Sequence, residues 1–209
     1  MKLYYAPGAC SLAPHIVLRE AGLPFDLVKV DLKAKKTETG DDYNAINPKG
    51  YVPALELDAT NGKSGERLTE GPAITQYLAD RVPEKRLAPP NGTLERARLH
   101  EWLNFITSEL HKSFGPLFSP ATPEDYKRQL KDKIVSRLTF VDQTLAKTKK
   151  PYLLGDDFSV ADAYLFVVTN WSGGVGVDIQ GLAKVNEFQA RVRERPAVAA
   201  ALRAEGLAK

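Results

Sequence analysis

Every strand signal in this 209-residue chain falls before residue 70, and that confinement limits the fold more than any single motif. Short apolar and aromatic runs lie at residues 3–5, 25–30, 51–57 and 67–69; from Thr93 onward only helical periodicity recurs. Between the first two runs, Ser11 and Pro14 suit the start of a helix. Its apolar positions Leu12, Ile16 and Leu18 lead to a stop at Gly22-Leu23-Pro24. A strand–helix–strand crossover this short makes the flanking strands parallel. Residues 33–47 are polar and lysine-rich, a surface segment with one helical turn at 41–46, and Asn47-Pro48-Lys49-Gly50 is a turn. Pro53 inside the third run removes a ladder donor, which confines it to an edge or bulge. Asn61-Gly62 and Lys63-Ser64-Gly65 reverse a hairpin, and Glu70-Gly71-Pro72 opens a helix carrying Ile74, Tyr77 and Leu78.

The first 80 residues therefore read βαβ followed by ββα, a mixed four-stranded α/β sheet domain. Residues 81–92 hold three prolines and end in Asn91-Gly92, the composition of a linker. Residues 93–209 read as an all-α domain. Its helices run over 94–114, 124–147, an apolar segment opened by Ser159-Val160-Ala161-Asp162, 182–194 and a short one reaching Leu202.

The net charge of +3 is too small to imply nucleic acid, and no basic-aromatic array occurs. One cysteine excludes an intrachain disulfide, and with three histidines a structural metal site is not expected. No apolar run approaches the ~18 residues of a membrane span, and the chain opens at Met1 without an apolar leader, so the expectation is a cytoplasmic protein with no membrane partner.

The lone cysteine, Cys10, stands where the first strand hands over to a helix. Backbone N–H groups and the helix dipole there favour an anion, either a Cys10 thiolate or one brought by a ligand. The competing reading is a buried cysteine acting as a small hydrophobe.

Four segments occur in order: Tyr4-Tyr-Ala-Pro-Gly-Ala-Cys-Ser-Leu-Ala-Pro-His15, Asn47-Pro-Lys-Gly-Tyr-Val-Pro53, Glu70-Gly-Pro-Ala-Ile74 and Ser159-Val-Ala-Asp-Ala163. Together with Glu101-Trp-Leu-Asn-Phe105 and Ser108-Glu-Leu-His-Lys112 they resemble the soluble glutathione transferases, most closely the bacterial beta class. The resemblance implies a thioredoxin-like glutathione domain, a helical domain, a homodimer, an active site in the cleft between domains and a cis peptide bond before Pro53. It also implies glutathione as co-substrate, no metal, and an aromatic or halogenated electrophile as the second substrate.

Glutathione is an extended tripeptide with two carboxylates, one ammonium and one thiol. Val52, beside Pro53, can pair through its backbone with the cysteinyl residue of such a ligand. Glu70 can meet the γ-glutamyl ammonium, and the Gly71 backbone at a helix N-terminus suits a carboxylate. The family pattern selects Lys35 as a carboxylate partner, although Lys36 is equivalent on local grounds. Asn104, Ser108 and His111 share a helical face by their spacing, and the family adds Lys112, with Glu109 serving the partner subunit's site. A plain solvated face and an ordinary first-turn acid are the alternatives for the helical set and for Glu70. His111 with Lys112, or Ser11 with the helix N-terminus, would stabilise the ligand thiolate, and Cys10 would exchange disulfides with glutathione. His15 reads as a helix-surface or second-layer histidine, and His100 as structural. Leu12, Phe114 and Trp171 would line the electrophile pocket, and the hairpin at 58–67 looks longer than the class norm.

The function this implies is conjugation of the glutathione thiol to electrophilic small molecules, a detoxification chemistry, with thiol–disulfide exchange through Cys10. The alternatives are a glutathione-dependent reductive dehalogenase or glutaredoxin-like oxidoreductase, and a catalytically silent protein of the same fold.

Overall fold

The computed structural model describes residues 1–58 and 65–208. Met1–Lys85 together with Arg195–Lys209 pack as one compact unit, and Arg86–Glu194 as another. The first unit is built on β1 (Lys2–Tyr5), α1 (Leu12–Ala21), β2 (Asp26–Asp31), β3 (Lys36–Thr37), α2 (Tyr43–Ile46), β4 (Ala54–Glu56), β5 (Arg67–Thr69) and α3 (Gly71–Asp80). The sheet has five strands in the order β3-β2-β1-β4-β5. β1 and β2 are parallel, with Leu3 opposite Leu27, as the α1 crossover requires. β4 is antiparallel to β1, with Leu3 opposite Leu55, and both leucines are fully buried.

The four-strand expectation misses β3. Lys36 and Thr37 pair antiparallel with Asp31 and Val30 inside the lysine-rich stretch. A two-residue edge strand of polar residues carries no period-2 apolar signal. The reversing residues Asn61 to Ser64, and with them most of the longer hairpin, lie outside the described residues; the Leu57 N–H donates to the Glu66 carbonyl at 2.8 Å, beside the β4–β5 ladder.

α1 ends as its sequence indicates, on Gly22 in the left-handed region (φ 68°), whose N–H reaches the Arg19 and Leu18 carbonyls. Its start differs. Ser11 has helical dihedrals and does not cap with its side chain. Its hydroxyl instead accepts from the Ala6 N–H and donates to the Ala6 carbonyl, both at 3.2 Å, closing the turn before the helix.

The last helix, expected with the helical domain, packs on α1 in the first unit. The Glu205 side chain is fully buried, accepting from the Gly8 N–H at 2.9 Å and lying 2.8 Å from His15 Nδ1. Arg19 Nε donates to His15 Nε2 at 2.9 Å, so the network assigns the ring proton to Nδ1, facing Glu205. Arg195 adds a forked pair to Glu20 at 2.6 and 2.9 Å. His15 is thus a buried tether to the C-terminal segment.

The helical unit contains α4 (Leu94–Phe105), α5 (Lys112–Phe114), α6 (Glu124–Thr148), α7 (Val160–Val175) and α8 (Ala183–Arg193); α9 (Pro196–Ala204) is the helix that joins the first unit. The single helix expected over 94–114 is α4 and α5 joined by a π-helical stretch, Ile106–His111. α7 is the core helix, buried without interruption over 160–169. Asp162 fixes its start: Oδ2 accepts from the Ser159 N–H at 2.8 Å and hydroxyl at 2.6 Å, and Oδ1 from the Leu153 N–H at 2.9 Å. Replacing it with alanine strips partners from buried donors, so Asp162→Ala is expected to lose about 2–5 kcal/mol of stability in urea denaturation. An unchanged unfolding midpoint would show that the cap is dispensable.

Candidate functional site

In the first unit, three segments place the candidate residues: the turn 6–11, the loop 47–53 and the α3 start at 69–71. Asn47 is buried and shapes the loop. Its Nδ2 donates to the Tyr51 carbonyl at 2.7 Å, and its own carbonyl accepts from the Gly50 N–H at 2.8 Å. The fully buried Tyr43 donates its hydroxyl to the same Tyr51 carbonyl at 2.8 Å. Burial pushes the Tyr43 phenol up to about 12, so it stays a donor through the ordinary pH range. Gly50 takes φ 67°, and a Cβ there would lie 3.2 Å from Asn44 Oδ1 and 3.4 Å from Lys35 Nζ.

Val52 follows this loop and precedes the cis Val52–Pro53 bond. Its carbonyl accepts the Cys10 thiol at 3.2 Å, and its N–H has no hydrogen-bond partner among the described residues. Lys35 Nζ donates to the Gly50 carbonyl at 2.8 Å and lies 5.7 Å from the centre of the Tyr51 ring. Lys36 sits in β3 with its side chain exposed. The structure therefore separates two lysines that local sequence leaves equivalent.

Glu70 precedes α3 at φ 70°, ψ 113°, a strained conformation for a residue with a Cβ, worth about 1–3 kcal/mol. Its Oε1 lies 2.6 Å from Lys49 Nζ, which also donates to Thr69 Oγ1 at 2.9 Å. Gly71 opens α3, and a Cβ there would meet nothing within 4 Å, so this chain's own packing does not demand glycine. Ser11 is fully buried with its hydroxyl committed to Ala6, away from the role of thiolate donor.

Cys10 differs from the local expectation of an anion-stabilised thiol. Burial pushes it up to about 11, and hydrogen bonds from the Cys10 and Ser11 N–H groups pull down by less; the Glu70 carboxylate adds a smaller upward push. A helix N-terminus favours an anion by about 0.3–1 kcal/mol, too little to move a pKa by one. Desolvation wins, and Cys10 is a thiol donating to Val52.

In the helical unit, Asn104, Ser108 and Lys112 are exposed on one face, with His111 and Glu109 half-buried beside them. The π stretch disturbs the usual carbonyl pairing, and hydroxyls supply donors around it: Thr107 to Leu103, Ser108 to Asn104 and Ser113 to Glu109, at 2.7, 2.9 and 2.9 Å. His111 Nδ1 lies 2.5 Å from the Tyr164 hydroxyl, and its ring meets Trp171 edge-on at 4.9 Å. Phe114 and Phe118 pack on the same indole at 5.6 and 5.7 Å. Glu109 pairs with Arg137 at 3.0 Å and Lys133 at 3.5 Å; these partners hold its carboxyl below the usual range. Leu12 is buried in α1 of the first unit, and Phe114 is fully buried in the helical unit.

Sequence reasoning missed Lys49, Tyr43, Asn47 and Tyr164. Asn47 and Lys49 looked like turn residues, and Tyr164 lies in an apolar run that reads as core. Among the described residues no group of three or more His, Cys, Asp or Glu is arranged to hold a metal, and no helix is long and apolar enough to cross a membrane. The pH dependence of Cys10 follows from its burial. The thiolate fraction rises tenfold per pH unit up to about 11. Iodoacetamide should therefore label Cys10 on the order of 10²-fold more slowly than free cysteine at pH 8. Labelling at the free-cysteine rate would overturn this assignment.

The family model described as glutathione S-transferase, N-terminal domain, matches residues 8–81, and the corresponding C-terminal domain matches 108–205. Glutathione S-transferase GstA of Escherichia coli O157:H7 is 50% identical over 207 residues, covering 99% of this chain and 100% of that protein. A bacterial beta-class glutathione S-transferase of Sphingomonas chungbukensis is 50% identical with a TM-score of 0.93, covering 99% and 100% of the two chains. A sphingomonad glutathione S-transferase complexed with glutathione is 48% identical with a TM-score of 0.92, covering all of both chains. With thioredoxin-like and helical units carrying the family's motifs in order, this chain belongs to the glutathione S-transferases and is a member of their bacterial beta class.

Proposed function

We propose that this protein binds reduced glutathione and transfers its sulfur to an electrophilic carbon of an aromatic or halogenated small molecule. The observation that carries this reading is the Val52 backbone, whose N–H has no partner among the described residues, beside the cis Pro53 bond and with its carbonyl facing Cys10. That geometry suits pairing with the cysteinyl residue of an extended peptide, and a close relative was solved complexed with glutathione.

Within the first unit, Lys35 takes a ligand carboxylate, Glu70 takes the γ-glutamyl ammonium, and the Gly71 N–H at the α3 start meets a carboxylate. On the helical unit, taken by itself, the face carrying Asn104, Ser108, His111 and Lys112 is the candidate for contact with the ligand. Tyr164 orients the His111 ring, and His111 with Lys112 stabilises the ligand thiolate by hydrogen bond and charge. Glu109 reaches a partner subunit's site only by leaving Arg137 and Lys133. In the transfer the new S–C bond forms as the C–halogen bond breaks, and halide leaves with the electron pair. The thiol proton passes to solvent.

Cys10 serves a second chemistry. Once its proton has passed to solvent, the small thiolate fraction of Cys10 attacks one sulfur of glutathione disulfide, forming a protein–glutathione disulfide and releasing one glutathione thiolate. The half-buried Cys10 thiol and its Val52 bond keep that fraction small, so this exchange is slow, conjugation falls to the ligand's own sulfur, and the two activities separate. A cytoplasmic, reducing location suits this pair of activities.

A homodimer is part of the same reading. Trp102, Phe105 and Phe140 form a ring cluster with centroids 5.4–6.0 Å apart on α4 and α6, and Phe140 is 50% exposed. An aromatic cluster of this kind is typical of an interface. Phe140→Asp is expected to shift the protein to a monomer in light scattering, and an unchanged mass would remove this surface from the interface.

The central test is retention on immobilised glutathione, followed by assays with a chlorinated aromatic and with a mixed disulfide. Cys10→Ala should keep conjugation within about threefold and lose disulfide exchange, whereas His111→Ala should lower conjugation about 10- to 100-fold. Absence of glutathione binding would end this reading, and loss of conjugation in Cys10→Ala would end the division of roles.

A further inference from the structure

Lys49 stands beside the proposed γ-glutamyl subsite. Its ammonium contacts Glu70 at 2.6 Å and the Thr69 hydroxyl at 2.9 Å, with the lysine and glutamate side chains 52% and 66% exposed. An ion pair this exposed is worth about 0–1 kcal/mol, so it exchanges partners readily. The backbone beneath it is held more firmly. The Lys49 N–H donates to Asn47 Oδ1 at 3.2 Å, and the next residue, Gly50, donates to the Asn47 carbonyl at 2.8 Å. Glu70 is presented from a strained backbone at the start of α3. An anion presented from a defined backbone therefore stands next to a cation on a long, exposed stem.

The γ-glutamyl end of glutathione carries an ammonium and a carboxylate on one carbon, the same two charges with the signs exchanged. We propose that Lys49 is a binding residue specific for that zwitterion. In the free protein it neutralises Glu70. When glutathione binds, the ligand ammonium replaces Lys49 on Glu70, and the released Lys49 ammonium pairs with the ligand's adjacent carboxylate. The exchange keeps both protein charges paired in both states, and it rewards only a ligand that brings both charges. A thiol such as cysteinylglycine, whose ammonium and carboxylate sit at opposite ends of the dipeptide, has no carboxylate beside its ammonium to offer Lys49 in return for leaving Glu70. This inference rests on the preceding placement of the γ-glutamyl end at Glu70.

Titration calorimetry with glutathione and with cysteinylglycine, on the wild-type protein, Lys49→Met and Lys49→Arg, tests it. Lys49→Met should weaken glutathione binding about two- to fivefold, raising KM with kcat unchanged, while Lys49→Arg recovers most of the affinity. Cysteinylglycine should bind wild type and Lys49→Met equally. Unchanged glutathione affinity in Lys49→Met would overturn the inference, leaving the proposed function intact. Equal weakening of both ligands would also overturn it, since Lys49 would then act by shaping the 47–53 loop. Failure of the wild-type protein to bind glutathione would instead remove the proposed function on which the inference stands.

Discussion

The carbonyl of Tyr51 accepts two hydrogen bonds, from the Tyr43 hydroxyl and from the Asn47 amide, and both donors come from buried side chains. That double anchor fixes the loop just before Val52. From there the Val52 carbonyl meets Cys10, the Gly50 carbonyl holds Lys35, and the Lys49 stem starts toward Glu70. Tyr43 itself opens α2, its ring 5.9 Å from that of Tyr4 on β1, and it shares a buried cluster with Val30, Val52 and Ala54. The loop is therefore an extension of the sheet's core. Losing either donor would leave the Tyr51 carbonyl with a single partner, at about 0.5–1.5 kcal/mol, and would loosen every candidate group at once.

Burial also decides the chemistry of the sulfur. The N–H groups at the α1 start lower the Cys10 pKa, yet desolvation outweighs them and leaves it at about 11. At neutral pH only about one Cys10 in 10⁴ is then a thiolate. A site with this balance is poorly suited to using its own cysteine as the nucleophile. It is well suited to a thiol brought in by a ligand, whose sulfur meets different donors, and in the proposed function His111, fixed by Tyr164, supplies one.

What the sequence made legible follows from how each element is stabilised. β1, β2 and β4 carry apolar side chains into a core, and α1, α6 and α7 show a continuous buried stripe or run, so periodicity found them. β3 is a pair of polar residues held by backbone pairing with β2 and by the hydrogen bonds of Thr37 to Thr39 and Asp41, and nothing in Lys36-Thr37 announces it. The π-helical turn at 106–111 has an ordinary helical composition, and nothing in Ile106-Thr-Ser-Glu-Leu-His111 marks its wider winding. Ser11 failed as a cap because the preceding turn claimed its hydroxyl first. The placement of α9 depended on one buried carboxylate, Glu205, reaching Gly8 and His15 nearly 200 residues away in sequence. The cis bond before Pro53 and the roles of Lys35 and Glu70 came from family resemblance; local physics ranked Lys35 no higher than Lys36.

The charged candidates share a further property. Lys35 rests on the Gly50 carbonyl, Lys49 on Glu70, and Glu109 on Arg137 and Lys133. Each is therefore partnered within its own unit before any ligand arrives. A zwitterionic peptide can enter such a surface only by exchanging partners with it, and each exchange is nearly neutral because exposed pairs are worth so little. Net affinity then has to come from the backbone at Val52 and from ordering the ligand, and the charges act mainly as a filter on which peptides can complete the exchange. This division assigns binding strength to the Val52 backbone anchored by Tyr43 and Asn47, and selectivity to the exposed side chains around it.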